Sequence, residues 1–65
     1  EVTSMYFQIF QGVNGQWYWR LCRVLSSGLI DIIATSHQAY SDKSVCEIDI
    51  MNVKLTNATT PIRYI

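Results

Sequence analysis

The chain has 65 residues, 49% of them hydrophobic and eight of them aromatic, and its five basic and five acidic side chains cancel to a formal net charge of zero. That balance gives no electrostatic footprint for nucleic acid or an anionic membrane, and no apolar run approaches the ~18 residues of a membrane-spanning helix. A domain of this length hides only roughly 60% of its unfolded surface, so disulfides, a metal or a partner subunit are the usual supplements. Two cysteines, Cys22 and Cys46, are too few for a disulfide framework. With His37 they make three ligands, without the CxxC or HxxxH spacing of a structural zinc site. A second copy of the chain is therefore the expected supplement, and the apolar excess is the surface it would cover. No basic segment followed by an apolar stretch opens the sequence, so the expectation is a cytoplasmic protein.

Residues 1–4 read as a disordered stretch or an expression remnant, ahead of one domain at 5–65. From Met5 to Phe10 the residues alternate: Met5, Phe7 and Ile9 fall on one face, Tyr6, Gln8 and Phe10 on the other, the period of a strand. Gln11 to Gln16 contains Gly12, Asn14 and Gly15 and predicts a turn. Trp17 to Val24 alternates again, with Trp17, Trp19 and Leu21 opposite Tyr18, Arg20 and Cys22. Ser26, Ser27 and Gly28 punctuate the chain before Leu29 to Thr35, whose β-branched residues predict a third strand. Ser36 to Tyr40 reads as a connecting loop. Ser41 then caps a helix with Asp42 in its first turn, running to about Leu55. The helix should bury Cys46, Ile50 and Val53, with Val45 and Ile48 or Met51 widening the stripe. Pro61 introduces a short strand over residues 62–65. The predicted class is α+β: a three-stranded antiparallel meander with one helix on the face of Phe7, Ile9, Trp17, Trp19 and Leu21. Tyr6, Phe10, Tyr18 and Cys22 are left exposed around Arg20 on the other face.

The runs Gly15-Gln16-Trp17-Tyr18-Trp19-Arg20-Leu21, Ile32-Ile33-Ala34-Thr35-Ser36 and Tyr40-Ser41-Asp42-Lys43 with Cys46-Glu47 resemble, in order and spacing, the YegP-like family of small prokaryotic proteins. The first is similar to that family's G-x-W-x-W-R-L hairpin, the second to its N-G-x-I-I-A-T-S turn and strand, the third to its G-Y-S-S-K helix start. The resemblance implies a βββαβ unit, and for single-copy chains a homodimer that exchanges C-terminal strands, here Ile62, Arg63, Tyr64 and Ile65. It implies no biochemical activity. Three departures stand out. Leu29 to Asp31 are additional residues that lengthen the expected second turn, His37 and Ala39 replace glycines, and Asp49 stands where the family is small.

Candidate chemistry is sparse. His37 and Cys46 could form a base and a thiol nucleophile, but a helix cysteine facing the core is an inert small hydrophobe more often than a nucleophile. Asp31, Asp42, Glu47 and Asp49 read as solvated carboxylates, and Gly12 and Gly15 lie between strands, not ahead of a helix as a phosphate loop requires. Asn57-Ala58-Thr59 fits a glycosylation sequon that occurs often by chance. The reading is therefore a non-enzyme with no catalytic, metal or cofactor site. Its candidate interaction surface is Tyr6, Phe10, Tyr18 and Arg20, since aromatics and arginine are enriched at interface centres. A homodimeric protein-interaction module is the first expectation. A mobile-element inhibitor docking on a protein complex, or a single-stranded nucleic-acid binder stacking bases on those rings, are the alternatives.

Overall fold

The structure, a computed structural model, describes residues 2–65, with side chains from residue 4 onward; Glu1 lies outside the described residues. Three strands, β1 (Val2–Gln11), β2 (Trp17–Leu25) and β3 (Ile30–Thr35), precede one helix, α1 (Lys43–Lys54). The strands form an antiparallel sheet in the order β1-β2-β3, so the α+β class and the meander follow the alternation in the sequence. β1 starts ahead of the predicted Met5 because the nine-residue β2 offers ladder partners that far: Val2 pairs with Leu25 and Ser4 with Val24, around an irregularity between the two.

Both hairpin turns rest on glycine. Gly15 and Gly28 have φ of +80° and +90°, a region that costs any residue with a Cβ. In the first turn Gly12 donates to the Gln16 carbonyl at 2.8 Å, and the Asn14 side-chain oxygen accepts from the Gln16 amide at 3.0 Å. A Cβ on Gly12 would stand 2.7 Å from the Tyr18 ring, so this glycine is also required for space. In the second turn, Gly28 donates to the Leu25 carbonyl at 2.9 Å and Leu25 to that of Leu29 at 2.9 Å. The additional residues do not lengthen this turn, because Ile30 and Asp31 instead extend the ladder opposite Val24 and Arg23. The surplus is absorbed within β3, where the register slips between Leu21–Ala34 and Cys22–Ile32 and leaves Ile33 without an opposite residue.

The helix covers the predicted face. Trp19, Tyr40, Cys46 and Ile50 form the buried cluster, with Phe7, Ile9, Trp17, Leu21 and Val53 packed against it. Val45, Ile48 and Met51, expected to widen the stripe, are exposed, since α1 packs on β1 and β2 and, among the described residues, makes no close approach to β3. Tyr40 is the unforeseen core member. Its backbone exchanges two hydrogen bonds with Trp17, 2.7 and 2.9 Å, which hold the chain extended as far as Tyr40. The helix therefore starts at Lys43 with Asp42 as its N-cap, not Ser41, and the Asp42 side chain makes no capping bond. Cys22 departs from expectation too. It lies on the face away from the helix yet is only 1% exposed, because its small side chain sits between register neighbours Tyr6 and Ile32. Residues 61–65 form no regular secondary structure within the single chain.

Because Ile50 is buried in this cluster, Ile50→Ala should lower unfolding stability by about 2–5 kcal/mol. Val13→Ala, in the exposed first turn, should change it by less than about 0.5 kcal/mol. Urea unfolding followed by tryptophan fluorescence distinguishes the two.

Candidate interaction surface

The predicted surface residues share one face of the sheet because they alternate with the core residues. Phe10 stands opposite Tyr18, Gln8 opposite Arg20, Arg20 opposite Thr35, and Tyr6 opposite Cys22, which is followed by Ile32. Arg20 therefore sits on the central strand with Phe10 and Tyr18 toward one end of the face and Tyr6, Cys22 and Ile32 toward the other. Its position is held from two directions. Nε donates to Gln8 Oε1 at 2.6 Å, and the guanidinium carbon lies 5.0 Å from the centroid of the Phe10 ring. Phe10 in turn stacks on Tyr18 at 5.6 Å and 19°, and the Tyr18 hydroxyl accepts from Asn14 Nδ2 at 3.1 Å. The structure thus brings Phe10, Tyr18 and Arg20 together as one unit, with Tyr6 along the face from them. Gln8, which the candidate set omitted, orients the arginine and also accepts a long 3.7 Å contact from the Cys22 thiol. Its alternation with Tyr6 and Phe10 was the available signal.

Nothing of α1 covers this face, and Ile30 and Ile32 of β3 add exposed aliphatic surface at 58% and 52%. The other segment singled out by the sequence, residues 62–65, is far from this unit in character: Ile62, Tyr64 and Ile65 project almost fully into solvent.

On the helix side, a carboxylate reaches into the core cluster. Asp49 Oδ2 accepts from the Trp19 indole Nε1 at 3.1 Å and from the Tyr40 hydroxyl. Asp49 is thus not the freely solvated carboxylate expected from its helix position; it ties α1 to β2 and to the strand-like stretch before the helix. These hydrogen bonds, Tyr40's first, hold its carboxyl below the usual carboxylate range. The same bond, with burial second, raises the Tyr40 hydroxyl. Burial, reinforced by Asp49 and Glu47, pushes the Cys46 thiol up and keeps it protonated. His37 lies exposed in the loop before Tyr40. Cys22 and Cys46 are both unpaired and buried, on opposite sides of the sheet. Among the described residues, no helix is long and apolar enough to cross a membrane.

No family model matches this sequence, and no curated protein or solved structure matches it either.

A carboxyl held below its ordinary value stabilises the fold above its unfolded value, and that contribution fades as pH falls through the lower, folded one. Stability should accordingly decline on acidification through the carboxylate range, and the decline should be shallower in Asp49→Asn, which has no charge to lose there. Urea midpoints collected across that range check this; equal slopes in the two proteins would contradict it.

Proposed function

We propose that the chain is a single-copy YegP-like module that acts without catalysis, as a homodimeric protein-interaction unit of the cytoplasm, in which each copy lends residues 62–65 as a fourth strand to the other. The observation that carries the reading is the placement of the helix. Lying over β1 and β2, α1 is off-centre on a three-stranded sheet, but it would be central on a sheet extended by one strand beside β1.

Further features support that edge. An open hollow of about 510 Å³ lies on the helix side of β1 between Met5, Phe7 and Leu21 of the sheet and Val53, Lys54 and Thr56. A second, of about 350 Å³, lies between Ile9 and the helix residues Ile48, Ile50 and Met51. A strand beside β1 would lay side chains over both, and its backbone would satisfy the outer edge of β1. The segment Ile62-Arg63-Tyr64-Ile65 has apolar residues for either face, and within its own chain they touch little. The protonated, buried Cys46 favours a core role over a nucleophile's, and two unpaired thiols suit a reducing compartment.

Light scattering at micromolar concentration should give twice the chain mass of 7.5 kDa. Removing residues 61–65 should abolish the dimer. Ile62→Asp combined with Ile65→Asp, which places a charge on each side of the exchanged strand, should weaken it by at least about tenfold, or ~1.4 kcal/mol. A stable wild-type monomer, or a dimer indifferent to the two charges, would overturn the reading.

A further inference from the structure

We infer that the sheet face opposite the helix is a docking surface for a protein segment that presents a single carboxylate side chain, Asp or Glu, flanked by apolar residues, with Arg20 as its receptor. The inference does not depend on the homodimer, since a strand added at an edge leaves this face open.

The face carries one cation: Arg20 has the uncharged Gln8 and Thr35 as its cross-strand neighbours, Phe10 and Tyr18 toward one end, and Tyr6, Ile32 and Ile30 toward the other. Any partner that covers those rings also removes water from Arg20, and a guanidinium buried with no opposite charge beside it is strongly unfavourable even though Gln8 accepts from its Nε. Among the described residues Arg20 makes no ion pair. The nearby Asp31 belongs to Arg23, at 3.1 Å on the helix side of the sheet. The negative charge must therefore come from the partner.

The arginine is also prepared for that charge. Gln8 engages Nε, and the guanidinium carbon lies over the Phe10 ring. Little side-chain freedom is left to lose on binding, and the two terminal amino groups remain for the paired geometry that suits a carboxylate.

Two other occupants fit less well. A second copy meeting this face with the same face about a twofold axis brings the two Arg20 side chains toward one another with no carboxylate between them. A nucleic acid brings many phosphates to one arginine on a chain of zero net charge. The Phe10 ring, moreover, already has a guanidinium and the Tyr18 ring against it, leaving less of its π-surface for a base.

The probe is the capped pentapeptide acetyl-Thr-Val-Glu-Phe-Thr-amide, titrated into the isotopically labelled full chain and followed by two-dimensional NMR, including the arginine Nε–H signal. Shifts at Arg20, Gln8, Phe10 and Tyr18 are expected. The Gln-for-Glu peptide should bind about tenfold more weakly. Arg20→Gln should lose the difference between the two peptides, and Arg20→Lys, which keeps the charge but not the planar fork, should recover only part of it. The dispersed spectrum of each variant shows that it is folded, and light scattering reads the dimer separately. Equal binding of the Glu and Gln peptides, no shifts at this face, or tighter binding of a decathymidylate oligonucleotide than of the Glu peptide would each overturn the inference.

Discussion

The seat of Trp19 governs the arrangement. Its indole is 6% exposed at the middle of the sheet, and a buried indole N–H needs an acceptor. Asp49 supplies it from α1, and the same oxygen accepts the Tyr40 hydroxyl. One carboxylate thus joins the central strand, the stretch that leads into the helix and the helix itself. Phe7 meets Trp19 edge-on at 5.8 Å and 70°, which brings β1 into the same contact. The helix is thereby placed over β1 and β2, and β3 stays uncovered on both faces.

That placement separates the molecule into surfaces with different prospects. Beside β1, hollows and an open backbone edge lie next to the helix, whose outer residues Ile48 and Met51 are largely exposed in the single chain. Such an edge favours another strand. Across the sheet, the unit of Phe10, Tyr18, Arg20 and Gln8 is a face instead of an edge, with one oriented charge among aromatic and uncharged polar groups. The first is proposed to complete the fold and the second to recognise a partner, so changes at one should leave the other's behaviour intact.

Much of this was legible in the residues. Strict alternation at Met5–Phe10 and Trp17–Val24 assigned both faces of the sheet, and the spacing of Cys46, Ile50 and Val53 assigned the buried side of the helix, because side-chain period depends only on local backbone geometry. Asp49 was misread because a helix carboxylate usually faces water, although it shares a side with Cys46 and Val53. Only the unmet need of the Trp19 N–H distinguishes it. Tyr40 was hidden for a related reason. Its burial comes from a backbone bridge to Trp17, 23 positions earlier in the chain, and no local pattern encodes that pairing. The bulge at Ile33 and the delayed helix start are likewise products of tertiary pairing, not of propensity.

The central claim, that the sheet is completed beside β1 and not beside β3, is tested most directly by residue-resolved hydrogen–deuterium exchange at concentrations where the dimer would form. β1 amides that do not point toward β2 should be protected, while the outer amides of β3 exchange freely. Protection along the outer edge of β3, with the outer amides of β1 exchanging as fast as those of an open strand, would contradict it.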